Sequence, residues 1–315
     1  MVLFAEKLGC PLKFPSMPEK IHPHKNSKPV LASLNDFQSE ISSFLKETML
    51  KLAKAPKSLS MPFFQNLFEL INFADQAFAK LTTKIEYPTS QWGGKATHEY
   101  LNHSITFLQM LNSISTLISH LSQARVTISR ALSLIEKNST NMAAKYLKIS
   151  QGTKISNPSK CTFNVEGLST GVEKKPGCEK KERVVLEALI VVKKIGFFAL
   201  GLVMSRLCED EKMYRGEVGV FSGDDPCKMV LDLGFRKEVV AVMDIRGPME
   251  EVNRAVERLS NGKFECGAVK ELKERLKVLD NCVEFVEKEV KGLFCEVLGV
   301  RSKLLDNIRI IGQDP

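Results

Sequence analysis

Residues Val269 to Leu304 read VKELKERLKVLDNCVEFVEKEVKGLFCEVLGVRSKL, and the apolar residues in this stretch fall in unbroken steps of three and four. The seam is Val269, Leu272, Leu276, Leu279, Val283, Val286, Val290, Leu293, Val297, Val300 and Leu304. Such spacing keeps one stripe of an α-helix facing a partner, whereas a strand would need alternation at every second residue. A helix running from about Gly267 to Ile311 would be roughly 65 Å long at the usual rise per residue. One apolar stripe cannot offset the entropy of ordering so long a chain, so the helix needs partners, and these must be long as well.

The partners are upstream. A second seam reads Leu111, Ile114, Ile118, Leu121, Arg125, Ile128, Leu132 and Ile135, with Arg125 as its one charged member. Arg125 reads as a side chain snorkelling outward, with a register-setting buried ion pair as the alternative. A third seam is Phe64, Leu67, Ile71, Ala74, Phe78, Leu81 and Ile85, its start marked by Ser60 as a cap and Pro62 in the first turn. A weaker fourth runs through Leu34, Phe37, Ile41, Phe44, Met49 and Leu52 and is stopped by Pro56. Leu298 and Leu305 beside the C-terminal seam widen its stripe beyond what a two-stranded coil buries, which favours a bundle. The expected fold is all-α, an elongated bundle of long antiparallel amphipathic helices with heptad-like seams. An exposed seam pairs between subunits as readily as within one, so the oligomeric state stays open.

Composition divides the chain further. With 315 residues, of which 43% are hydrophobic, a sizeable core is within reach. Residues 1–30 read as a flexible basic, Pro-containing tail, 31–150 as the N-terminal long helices, 151–180 as a disordered Lys/Gly/Pro linker, and 181–315 as C-terminal helices completing the same bundle. The net charge of +8 is concentrated in residues 141–194, which hold eleven Lys and Arg against five Asp and Glu. From Asn141 to Lys181 the lysines are punctuated by Gly152, Pro158, Gly167, Gly171, Pro176 and Gly177, the composition of a solvated linker. Anionic lipid is the alternative contact for this segment. Nucleic acid is disfavoured, because the charges are dispersed and no aromatic side chains interleave with them.

Val184 to Leu207, VVLEALIVVKKIGFFALGLVMSRL, is the most apolar stretch of the chain. Glu187, Lys193 and Lys194 interrupt it, so only Ile195 to Ser205 is free of charge, too short to span a bilayer. Val184, Ile195, Phe197, Phe198 and Leu200 therefore mark a segment read first as a buried core helix and second as an interfacial or membrane-attached one. Beyond it, Glu209 to Pro226 is a Gly- and Asp-rich connection within which Glu217 to Phe221 could be extended, Cys227 to Ile245 has a helical pattern, and Met249 to Leu259 is a short helix after the Gly247-Pro248 turn.

Chemical motifs fail on spacing. His98 and His103 are five residues apart, so they diverge on a helix instead of sharing the face that a zinc site needs, and both read as surface or helix-end histidines. His22 and His24 belong to the tail. No two of the eight cysteines stand two to four residues apart, and free thiols in a reducing intracellular setting are expected. Gly196 and Gly201 have the outer spacing of a phosphate loop, but Leu202 stands where its lysine would be. The acidic clusters Glu209-Asp210-Glu211 and Asp224-Asp225 read as solvated loops. No catalytic, cofactor or metal residue is assigned.

Tyr87-Pro88, Trp92, Tyr100-Leu101, Ser104, Leu108 and Leu111-Asn112-Ser113-Ile114 resemble the signature of the plant BYPASS family. Met110 and Leu111 stand near where that family often carries Asp and Cys. Leu272 to Leu305, with Glu287-Lys288-Glu289-Val290, Leu293-Phe294, Arg301 and Leu304-Leu305, is similar to its closing helix. The resemblance implies a plant protein without known catalytic activity, cofactor or catalytic residues. It further implies a role in restraining a root-derived mobile signal that otherwise arrests shoot growth, exerted through protein partners. In related members those partners are linked to the exocyst. An intracellular location follows, cytoplasmic or peripheral to the endoplasmic reticulum or plasma membrane, with a plastid location also known in the family. The N-terminal thirty residues, with two Glu, no Arg and few Ser, are poor transit-peptide chemistry.

Overall fold

The computed structural model describes residues 27–54, 61–152, 180–208, 247–261 and 265–311. Among them are seven α-helices: α1 (Ser27–Lys54), α2 (Met61–Lys84), α3 (Gly94–Glu136), α4 (Thr140–Gly152), α5 (Lys180–Cys208), α6 (Pro248–Asn261) and α7 (Cys266–Ile311). They form an all-α bundle around one hydrophobic core to which every helix contributes.

Side-chain contacts fix how the helices run. Arg301 reaches Ser104, Arg125 reaches Asp280 and Lys273 reaches Glu136, so α3 and α7 lie antiparallel along most of their lengths. Lys80 to Glu40, Lys84 to Asp36 and the stacked rings of Phe44 and Phe73 set α1 against α2 in the same sense. Arg258 to Glu271 and Arg275 to Glu251 do so for α6 and α7. α5 differs, since Ala96 faces Glu182 and Phe107 faces Gly196, so that α3 and α5 advance in the same direction.

The seams are buried largely as spaced. Ten of the eleven α7 positions are buried, Val269 alone being half-exposed near the helix start. All seven positions of the α2 seam are buried. Four details differ from the sequence reading. In α1, Leu45 takes the core position and Phe44 lies at the edge, with its ring centroid 3.9 Å from that of Phe73. In α3, the small Ala124 occupies the seam where Arg125 was read, because placing the guanidinium inside would desolvate it. Leu298 is 40% exposed and does not widen the α7 stripe; Cys282 does so instead, buried within the core, and Phe285 packs edge-on to Phe68 at 6.0 Å. Finally, the segment read as a linker from Asn141 begins as helix α4, which seats Ala143 and Leu147 in the core.

Chain reversals are built from backbone geometry. After α2, Tyr87 N–H bonds to Thr82 O and Glu86 N–H to Thr83 O, with Glu86 at φ 51°. After α3 the pattern repeats, Ser139 to Leu134 and Asn138 to Ile135, with Asn138 at φ 57°. Both are Schellman-type endings that satisfy otherwise orphaned helix carbonyls.

The apolar stretch forms α5, packed against α1, α2, α3 and α6. It is long and apolar enough to cross a membrane, but 83% of its most apolar window is buried in the protein, which favours the core-helix reading. Gly196 has a packing role there: a Cβ would come within 2.7 Å of the Phe107 ring. Residues 1–26, 153–179 and 209–246 lie outside the described residues. With them go most of the expected tail and linker, His22, His24, the two acidic clusters, the extended piece at 217–221 and the helical pattern of 227–245. The Ser60 cap and the Pro56 stop lie outside as well.

The buried stripe of α7 yields a paired prediction. Leu279→Ala should lower unfolding stability by about 2–5 kcal/mol through cavity formation, whereas Leu298→Ala should change it by no more than about 0.5 kcal/mol. Chemical denaturation of the two variants checks the direction in which the stripe faces.

Candidate functional site

Among the described residues, buried polar side chains gather where the first half of α3 meets α5 and the C-terminal part of α7. Tyr100, His103 and Ser104 lie on the buried face of α3 and continue its apolar phase toward the N-terminus. Asp75, also buried, occupies the core face of α2 beside Ala74. The burial of these side chains is not part of the sequence reading, in which Tyr100 and Ser104 enter through the BYPASS-like stretch, His103 as a surface or helix-end histidine, and Asp75 not at all. The signal was available for three of them, since Tyr100, His103 or Ser104, Phe107 and Leu111 extend the α3 seam backward in steps of three and four.

Arg301 closes this region. Its Nη1 donates to the Leu101 carbonyl at 2.7 Å and to Ser104 Oγ at 2.8 Å, while Ser104 Oγ–H donates to the same carbonyl at 2.7 Å. A guanidinium on α7 thus grips a backbone oxygen inside α3, and its charge assistance strengthens both bonds. Burial holds the Tyr100 phenol well above its ordinary pKa, the Asp75 carboxylate pushes in the same direction, and Arg301 opposes them. The phenol therefore stays protonated.

His103 is a correction to the reading as a surface or helix-end residue: it is 2% exposed, whereas His98 is exposed. Its ring lies 5.7 Å from Phe107 and 5.4 Å from Phe197, centroid to centroid. Neither ring nitrogen has a hydrogen-bond partner among the described residues. Burial lowers its pKa to about 3, and the nearby Lys193 cation contributes to the shift. Lys193 itself is held by Glu99 at 3.2 Å, so one of the lysines that interrupt the apolar run pairs across helices. The imidazole is neutral and enclosed by rings, an environment that suits a packed core residue more than a proton carrier.

A second junction organises the entrance to α3. Trp92 Nε1–H donates to Tyr87 O at 3.3 Å, and Gly93 N–H donates to the Tyr87 hydroxyl at 3.2 Å. Gly93 is the N-cap but brings no side chain, and Glu182 of α5 accepts from Ala96 N–H in place of a local cap. A Cβ at Gly93 would stand 2.5 Å from the Glu182 carboxylate, so only glycine leaves room for it. The negative charge also suits the positive end of the α3 dipole. Trp92 then packs edge-on to both Phe78 and Tyr100, at 6.0 Å each.

The singled-out residues divide by environment. Trp92, Tyr100, Leu111, Leu293 and Leu304 are buried, Leu101, Phe294, Arg301 and Leu305 are half-buried, and Asn112 faces solvent. The structure brings Trp92 to Tyr100 and Leu101 to Arg301, and the same α3–α7 register puts Leu111 level with Phe294. Val184, Ile195, Phe198 and Leu200 are core residues, and Phe197 is half-buried against His103. Arg125 makes a 3.5 Å ion pair with Asp280, each side chain about one-third exposed, so it neither snorkels freely nor forms a buried register lock. Burial keeps the Asp280 carboxyl above its usual range despite the guanidinium. Cys266, Cys282 and Cys295 are free thiols, and burial pushes that of Cys282 up to about 11. Among the described residues no three His, Cys, Asp or Glu side chains are grouped so as to hold a metal ion.

The chain is 23% identical over 320 aligned positions to Protein BPS1, chloroplastic, of Arabidopsis thaliana, covering 91% of this chain and 86% of that protein. The likeness to the BYPASS family thus extends over nearly the whole chain. No protein-family model matches the chain, and no solved structure matches it.

Two substitutions probe the buried cluster. His103 is neutral when folded and free to protonate when unfolded, so stability should be full above the unfolded pKa and fall as the pH drops through about 6.5 toward 3. Between about pH 7 and about pH 5 this one group should cost about 2 kcal/mol, and His103→Leu should remove that portion of the slope in urea melts. Arg301→Met should cost about 1.5–3 kcal/mol through loss of charge-assisted bonds, measured by the same melts near neutral pH.

Proposed function

We propose, on the premise of BYPASS likeness from end to end, that this chain is a non-enzymatic plant regulatory protein that acts through protein contacts. In this reading it restrains a root-derived mobile signal and so permits normal root and shoot development. The observation that carries the proposal is the similarity to Protein BPS1, chloroplastic, which covers 91% of this chain and 86% of that protein. A domain shared alone would leave the role of the whole protein open; here nearly the full lengths correspond.

The geometry supports the same reading from the chemical side. The charged groups around the buried cluster hold helices together: Arg301 on Leu101 and Ser104, Lys193 on Glu99, Glu182 on the start of α3. His103, the side chain best suited to move protons near neutral pH, is kept neutral by its burial. A rigid helical body of this kind offers its outer faces to partners, and long helices present extended faces.

The name of the relative places that protein in the chloroplast, and we extend a plastid location to this chain. A fluorescent fusion at the C-terminus, expressed in leaf cells, should colocalise with chlorophyll; a cytosolic or endomembrane pattern would return the location to the other compartments known in the family.

Affinity capture of the tagged full chain from plant roots, followed by mass spectrometry, tests the mode of action. A stoichiometric protein partner retained by the wild type and reduced by charge reversal on the exposed face of α7 is the expected outcome. Recovery of exocyst subunits would favour a trafficking adaptor, and absence of any stoichiometric partner would count against both.

A further inference from the structure

The α3–α4 hairpin carries an exposed apolar stripe with a basic rim. On α4, Met142 and Ile149 are 54% and 57% exposed, and Tyr146 lies between them, half-buried. The spacing of four and then three residues puts all three side by side on the helix, next to the core residues Ala143, Leu147 and Ser150, and Tyr146 also packs partly against the core. On α3, Val126 is 60% exposed, and one turn further along Arg130 places its guanidinium 5.1 Å above the Tyr146 ring. That contact fixes the hairpin register and brings Val126 level with Ile149. Three of the nine exposed large hydrophobic side chains among the described residues are thereby gathered at this end of the α3–α4 hairpin.

The charges flanking the stripe are basic, and the one carboxylate at the end of α3, Glu136, is paired with Lys273 of α7. α4 contains no Asp or Glu, and its exposed Lys145 and Lys148 flank the stripe on its solvent side. Lys137 at the turn and Arg130 on α3 extend the rim, and none of these four cations has an ion pair among the described residues. A protein solvating itself would not need bare apolar side chains here. Apolar side chains at mid-face, an aromatic at the edge and lysines able to snorkel outward are what an interfacial helix presents to a negatively charged bilayer.

We propose that the outer face of the α3–α4 hairpin docks on an anionic lipid surface, with Val126, Met142, Tyr146 and Ile149 entering the headgroup boundary and Arg130, Lys137, Lys145 and Lys148 meeting lipid phosphates. The inference goes beyond the regulatory reading and does not depend on it. It also leaves α5 in the core, since the contact is made by a helix already on the surface. The protein attaches without unfolding, and attachment weakens as salt is raised.

Flotation of the full chain with phosphatidylcholine vesicles, with and without phosphatidylglycerol, is the test. Binding to the anionic vesicles and not to the neutral ones is expected, with Lys145→Gln/Lys148→Gln reducing partitioning by about tenfold or more. Met142→Ser/Ile149→Ser should lower it comparably, while both variants keep the wild-type melting temperature because the changed side chains are exposed. Ile149→Trp should add a fluorescence component that shifts to the blue on anionic vesicles, a readout that survives if either double variant folds poorly. Binding undiminished in the variants would assign the attraction to other basic parts of the chain and overturn the proposal. Failure to bind anionic vesicles would do the same. So would a concentration-dependent dimer abolished by M142S/I149S, since the stripe would then cover a second copy.

Discussion

The antiparallel seating of α7 along α3 is the constraint on which the rest of the fold depends. Both helices run more than forty residues, 43 for α3 and 46 for α7, and neither could bury its stripe without a companion of similar length. Hydrophobic burial makes this contact strong but poorly discriminating, because valines and leucines slide past one another in steps of a helical turn. The polar contacts select one step. Arg301 on Leu101 and Ser104, Arg125 on Asp280 and Lys273 on Glu136 agree on a single register. Of these the Arg301 contact carries the most weight, as it is short, half-buried and charge-assisted, whereas the Lys273 pair is exposed and the Arg125 pair long.

Once α3 is fixed, α5 follows. Glu182 supplies the cap that Gly93 cannot, Gly196 lets the Phe107 ring approach, and Phe197 covers His103. The most apolar helix of the protein is thus bound at its start by a carboxylate and further along by a close glycine contact. Lys193 fits the same scheme: its stem lies against the core and its ammonium reaches Glu99. Several of the BYPASS-like signature residues, Trp92, Tyr100, Leu101, Ser104 and Arg301, lie at these joints, which fits a role in holding the body of the protein together.

Legibility in the sequence varied with the kind of interaction. Every seam position read in α2 and all but Val269 in α7 are buried, because a period close to 3.6 residues is a property of the helix itself; Phe63, Phe68, Leu70 and Asp75 of α2 are buried as well, outside that seam. Phe44 and Leu45, or Ala124 and Arg125, are neighbours only 100° apart on a helix, and choosing which of two points inward takes knowledge of the facing element. His103 lies in phase with Tyr100 and Phe107, yet its polar character argued for the surface until the aromatic walls around it were seen. The helical start of the Lys-rich segment was hidden for a similar reason: net charge describes the exposed face of α4, while Ala143, Leu147 and Ser150 commit it to the core.

By itself the sequence determined the all-α class, the long helices and their buried stripes, and the likeness to the BYPASS family, since each rests on local periodicity or on residue identity along the chain. Only the tertiary structure decided that Arg301 grips the Leu101 carbonyl, that Glu182 caps a helix some ninety residues before it in the chain, that His103 is interior, and that α4 turns an apolar, lysine-rimmed face outward. Such contacts depend on the relative rotation and register of separate helices. Those quantities are set by the summed packing of the whole bundle and leave no local period for the chain to display.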